Sequence, residues 1–282
     1  MGPPSLIHQR KCVFPMMLLI VGVLDFFPFP VPGQTTKHLP AASEVIRRMI
    51  ERAQAVARAE VGPQYVYEKR ALLAHLDAGG QTIKSEEKVY QVTLIAGFPF
   101  NRLVRIQGRE LNSEELKREQ RKEERFQQRF TSMNATNMVA RKEAWVTPQL
   151  LDRYQFVVKD RVILDDRATL VLTFSPKNGK LPEKAIQDKL LNRMAGTVWI
   201  DEQDAEAAKV SVNLTDTVSL GWFGMLGSLS QCDVLLERKR QPEGVWVNGK
   251  QTLQIQCRKL ASTIRFRATE ESSGFRKVTA KR

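Results

Sequence analysis

The feature that most constrains this chain is an apolar–polar alternation that returns in segment after segment. Tyr154, Phe156 and Val158 alternate with polar neighbours, as do Ala168, Leu170, Leu172 and Phe174. Ala208, Val210, Val212 and Leu214 repeat the pattern against Lys209, Ser211 and Asn213, and Ile264 and Phe266 alternate with Arg265 and Arg267. A period of two places one residue set on each side of a strand, so the pattern predicts an antiparallel sheet with one apolar and one wet face. Further strands are expected over Tyr65–Leu76, Glu86–Gly97, Phe100–Gly108, Gly196–Asp201, Gln231–Lys239 and Val245–Lys259. Asn248-Gly249, inside the last of these, reads as a bulge or a turn.

A sheet with a single apolar face must cover it. The helix expected from Ser43 to Arg58 carries Val45, Ile46, Met49, Ile50, Ala53, Val56 and Ala57 at helical spacing, with Arg47, Arg48, Glu51 and Arg52 on the other side. A second helix opens at Asn112, with Glu115 three residues on, which fits a capping box. From Glu114 to Arg129 its only apolar residues are Leu116 and Phe126, which predicts a solvated surface helix within a charged insertion of about 112–150, helical again around Met138–Trp145. A short amphipathic helix or turn is expected over Glu183–Met194. The fold class is α+β, a strongly curved antiparallel sheet, or half-open barrel, wrapped over the N-terminal helix and the shorter ones. Either the helices leave an apolar hollow on the concave side, or they and the side chains fill it as a closed core. The wall of a hollow would be built from Tyr90, Val92, Leu94, Leu170, Leu172, Val210 and Val212.

The start of the chain stands apart. Arg10 and Lys11 precede the apolar run VFPMMLLIVGVL, and FPFPVPGQ breaks it. This describes a secretory signal peptide over residues 1–33, cleaved near Gly33, too short for an ordinary membrane span. The alternative is an uncleaved anchor. Residues 34–42 read as a flexible lead, 43–278 as one domain and 279–282 as a tail. Export implies the periplasm or cell envelope. The charge of +13 draws such a chain to anionic surfaces, or serves solubility alone.

With three histidines in all, two of them beyond the leader, a histidine-built zinc site is excluded and a catalytic triad would have to rest on His75. The four carboxylates of Asp201, Glu202, Asp204 and Glu206 lack the glycine and spacing of a calcium loop and lie between strands. They read as the polar tip of a hairpin. Cys232 and Cys257 fall on apolar faces of neighbouring strands, and a disulfide and two buried thiols are both compatible with the pattern. Val218–Ser228 sets Trp222, Phe223, Met225 and Leu226 among three glycines, which reads as a rim or lid that meets lipid or as an aromatic plug at the end of the core.

G-T-V-W-I-D (Gly196–Asp201), its polar turn and the alternating strand after it resemble the LolA/LolB-like superfamily of lipoprotein carriers. G-V-W-V (Gly244–Val247) and R-I-Q-G-R-E-L-N-S-E-E-L (Arg105–Leu116) are similar to elements of its exported bacterial members. The likeness spans roughly residues 43–278. It implies a non-enzymatic protein without cofactor or metal, holding lipid or lipidated protein in the concave face, with no nucleic acid as partner. The charged insertion is larger than such a carrier needs, and no lipidated cysteine follows the leader. The competing function is a basic envelope scaffold that binds anionic lipids or polymers at its surface with no internal ligand.

Overall fold

The computed structural model describes residues 38–58, 65–131, 151–179, 181–183, 185–220, 227–259 and 262–278. The chain divides into Met1–His38, of which His38 alone is described, and Leu39–Arg282, which holds every element below. The proposed signal peptide, the Met138–Trp145 helix and the tail lie outside the described residues.

The elements run α1 (Ala42–Arg58), β1 (Tyr65–Leu76), β2 (Thr82–Ile95), β3 (Phe98–Ile106), β4 (Arg109–Glu110), α2 (Ser113–Thr131), β5 (Tyr154–Leu164) and β6 (Arg167–Pro176). They continue as α3 (Ile186–Leu191), β7 (Met194–Asp201), β8 (Ala207–Leu214), β9 (Val218–Leu220), β10 (Gly227–Arg240), β11 (Trp246–Lys259) and β12 (Ser262–Lys277). All twelve strands form one antiparallel sheet in the order β4-β3-β2-β1-β12-β11-β10-β8-β7-β6-β5, with β9 paired to β10 off this path. The pairing of β1 with β12 joins the N-terminal meander to the C-terminal strand.

Three hairpins turn through consecutive residues with positive φ: Ala96-Gly97, Gln107-Gly108 and Asp165-Asp166. Their twist matches that of the flanking strands. Asn248-Gly249 is no turn. β11 runs through it, and the register skips Gly249 between the Glu237–Lys250 and Arg238–Asn248 pairs, which is a bulge.

The apolar face is covered at one end. Val45 of α1 packs with Leu170, Leu172 and Ile200 as a buried cluster, joined by Ile46, Met49, Phe156, Val158 and Val198. α2 lies elsewhere, as its few apolar residues require. Phe126 and Phe130 stack on Phe100 and Phe98, with centroids 5.0 and 4.4 Å apart. Its charged side satisfies the backbone of β3: the Leu103 N–H donates to Glu119 at 3.1 Å and Lys122 donates to the Asn101 carbonyl at 2.8 Å. An unpaired strand edge is a template for aggregation, and this ion pair occupies it. The capping box forms as read. Glu115 N–H donates to Asn112 Oδ1 at 2.9 Å, and Asn112 N–H donates to Glu115 at 2.8 Å. With Arg109 as its strongest partner, the Glu115 carboxyl is pushed down to about 2. Of the helices expected beneath the sheet, α1 packs on the apolar face through Val45, and α2 guards an edge instead.

Gly196 on β7 faces Phe174 and Val212 across the two neighbouring strands. A Cβ there would sit 2.1 Å from the Ser211 carbonyl and 2.8 Å from the Phe174 ring. Gly196→Ala is therefore expected to destabilise the fold by about 1–3 kcal/mol through overpacking, seen as a lower midpoint in thermal unfolding with the far-ultraviolet spectrum retained.

Candidate functional site

The carboxylates of the β7–β8 turn are a clamp. Asp201, 1% exposed, accepts both a two-pronged guanidinium from Arg167 and the backbone N–H groups of Gln203 and Asp204 at 3.1 and 2.7 Å. Glu202 takes two hydrogen bonds from Arg161 at 2.9 and 2.8 Å. Asp204 accepts Arg240 at 2.6 Å and the Trp246 indole N–H at 2.9 Å. Glu206 bridges Arg238 at 2.8 Å and Arg52 at 3.2 Å, and Arg48 donates to the Glu202 carbonyl at 2.8 Å. Each acid is matched by an arginine from another element, so the turn anchors α1, β5, β6, β10 and β11 together. Burial raises the Asp204 carboxyl, but the Arg240 and Trp246 hydrogen bonds and the charge of Arg167 outweigh it and hold it below its usual value. The reading as a hairpin tip is right in place, and the structure adds what the tip does.

What remains of the apolar face forms a continuous lane. Phe156, Phe174, Gly196, Val212, Val234, Leu253, Ala268 and Leu73 stand opposite one another strand by strand from β5 to β1, and the row ends at Glu86. At about 4.8 Å per strand it runs roughly 35 Å. A flanking row, Val158–Leu172–Val198–Val210–Leu236, turns polar at Gln251 and Glu270, which are hydrogen-bonded at 2.6 Å. On the other flank lie Cys232, Ile255 and Phe266. Under α1 this surface is sealed. Beyond β7 its members are half-buried, and among the described residues no helix packs over them. At the α1 end a cavity of about 650 Å³ opens between α1 and the start of β5, lined by Ile46, Ile50, Leu151 and Phe156 together with the charged Arg47, Glu51, Asp152 and Lys177. Phe156 belongs to both the cavity and the lane.

Of the residues expected to wall a hollow, Val210 and Val212 lie in the half-buried stretch. Leu170 and Leu172 are each 1% exposed beneath α1, in the packed core. Val92 is fully buried on β2, and the neighbouring Tyr90 ring carries the Lys69 ammonium at 5.2 Å. Leu94 is half-buried near the β2–β3 turn. Trp222, Phe223, Met225 and Leu226 lie outside the described residues. Cys232 and Cys257 are free thiols. The register sets Cys232 opposite Ile255 and Cys257 opposite Leu229, so the two are not directly facing, and burial pushes the Cys232 thiol up. Val234 and Leu236, on the apolar face of Cys232, Leu253, on that of Cys257, and Ala268 are not among the wall residues expected from sequence. Their alternation was visible, but which residues stand opposite which was not.

No protein-family model and no curated protein matches the chain. Solved structures do. An outer membrane lipoprotein-sorting protein domain, so described, from Vibrio parahaemolyticus is 12% identical, covering 86% of this chain and 95% of that one at a TM-score of 0.33. A DUF1329 family protein from Desulfovibrio piger is 11% identical, covering 85% and 94% at 0.31. A LolA superfamily protein from Nitrosomonas europaea is 8% identical, covering 83% and 94% at 0.22. At such scores the likeness carries nothing about function.

Asp204 supplies a measurable pH dependence. Its folded value lies below the ordinary 3.8, so its contribution is complete above that value and is lost as pH falls through the folded one. Asp204→Ala should cost about 1–3 kcal/mol near neutral pH by leaving the half-buried Trp246 N–H without its acceptor. The difference from the parent should shrink as pH falls below 3.8 in parallel thermal melts.

Proposed function

We propose that this chain is an exported, non-enzymatic carrier that holds lipid-like or lipidated cargo against the apolar face of its sheet. Residues 1–33 direct export to the periplasm or cell envelope, with cleavage near Gly33. The observation that carries the reading is the lane itself. A row of aliphatic side chains continues past the edge of α1 without a described helix over it, and at its other end it meets an apolar-lined cavity of about 650 Å³. Apolar surface left in that state gains about 0.8 kcal/mol for each cargo methylene it buries. Orientation would come from the charged groups beside the cavity, Arg47 and Lys177 facing anionic heads.

The test is native mass spectrometry of the protein purified from its own envelope, followed by binding of a fluorescent fatty acid. Co-purifying lipid is expected. The pair Val234→Asn and Leu253→Asn should weaken retention of the fluorescent chain about tenfold, the equivalent of about 1.4 kcal/mol of lost apolar contact. Protein that carries no lipid, and whose Asn variants bind the probe as the parent does, would overturn the carrier reading.

A further inference from the structure

We infer that β5 is the interface of a twofold dimer, in which it pairs antiparallel with β5 of a second copy of this chain. β5 is the last strand of the sheet, and among the described residues no strand lies beyond it. The opposite edge is guarded by Glu119 and Lys122 of α2. An open strand edge pairs with a strand that fits it, so the shape of β5 decides the partner.

The direction of each backbone group can be followed along the strand. The Lys177 N–H donates to the Arg153 carbonyl at 2.8 Å. The alternation of an antiparallel ladder then turns Gln155 and Val157 toward β6, and Tyr154, Phe156 and Val158 away from it. From the other end, Leu164 and Arg167 close the two-residue turn at Asp165-Asp166. That turns Leu164 and Val162 toward β6, and Ile163 and Arg161 away. The bulge between Val158 and Asp160 is where the two series meet. The Arg161 N–H agrees with this direction, since it donates to the Asp160 carboxylate at 2.7 Å.

The outward residues Phe156, Val158, Arg161 and Ile163 are therefore symmetric about the midpoint of Lys159-Asp160. A half-turn about that point sets Phe156 opposite the partner's Ile163 and Val158 opposite the partner's Arg161, with these backbone groups directed at the other strand. Side chains match as well. Phe156, Val158, Arg161 and Ile163 stand opposite Phe174, Leu172, Leu170 and Ala168 of β6, so they share one face. Val157 and Val162, opposite Thr173 and Thr169, share the other. The half-turn places Val157 against the partner's Val162, and Lys159 against the partner's Asp160. The stem of Arg161, whose head is held by Glu202 at 2.9 and 2.8 Å, lies against the partner's Val158.

The occupant follows from this fit. Ile163 is 70% exposed and Val157 47% exposed, and the pairing gives each an apolar neighbour. A bulge and a lysine ordinarily blunt an edge against pairing. Here they select among partners: a regular strand falls out of step at the bulge, whereas a second β5 brings the same bulge and an aspartate for Lys159. Such a contact is the same patch on both copies, and the guarded far edge stops growth at two. The inference does not need the carrier reading, because it uses a strand edge and not the lane.

The test is sedimentation of the purified protein over a range of concentrations, and a dimer is expected. Lys159→Glu and Asp160→Lys each set like charges opposite one another twice per dimer, and each should weaken association about tenfold. An equal mixture of these two variants restores both opposite-charge pairs and should associate as the parent does. Ile163→Lys changes a side chain already exposed in the single chain and should also weaken association about tenfold. Ile83→Lys, at a comparably exposed position on β2, should leave it unchanged. Amide hydrogen exchange at Phe156, Val158 and Ile163 should slow as concentration rises. Protein that stays monomeric over the whole range would overturn the inference, as would open-ended assemblies or a dimer indifferent to Ile163→Lys. Two charge variants that fail to associate when mixed would do the same. Thermal melts of each variant confirm folding.

Discussion

The fold rests on one mismatch of areas: a broad sheet with an apolar face and, among the described residues, one long helix, α1, whose Val45 packs into the buried cluster on it. Val45 and its neighbours on α1 seal Leu170, Leu172 and Ile200. At roughly 25 cal/mol per Å² that contact is the principal hydrophobic gain on this side. A helix about 10 Å wide spans two or three strands, and the sheet has twelve. The rows through Val212, Val234 and Leu253 therefore continue past the helix. The carrier reading grows from that excess of face over cover.

Electrostatics holds the cover in place. The β7–β8 turn offers four carboxylates, and arginines from α1, β5, β6 and β10 converge on them. Surface ion pairs are individually weak. Here Asp201 is buried and shares its oxygens with two backbone N–H groups, so the pairs set where the helix sits as well as adding stability. The same chemistry guards β3, where Glu119 and Lys122 of α2 stand in for a missing neighbour strand. On β11 and β12 the pattern changes: amides hold the guanidiniums, and their charge faces outward.

Strands were legible because burial on one face writes a period of two into the sequence, and the residues 65–76 were delimited to the residue. The Asn112–Glu115 cap was equally plain, since it is a contact within four residues. α2 was recognised as a solvated helix, but its hold on β3 was not visible, because Glu119 and Lys122 look like any surface pair until a strand edge lies beside them. The bulge at Gly249 and the diagonal placement of Cys232 and Cys257 depend on register. Register is set by neighbours hundreds of atoms away.

The sequence by itself determined a one-faced antiparallel sheet, an N-terminal amphipathic helix and a near absence of histidine, because periodicity and composition are local properties. Only the tertiary structure decided that β1 pairs with β12, that the acidic turn gathers arginines from four elements, and that α1 covers only one end of the lane. Those outcomes depend on which strands become neighbours. Many pairings satisfy the same alternation, and the choice among them is made by packing and charge matching across the whole sheet.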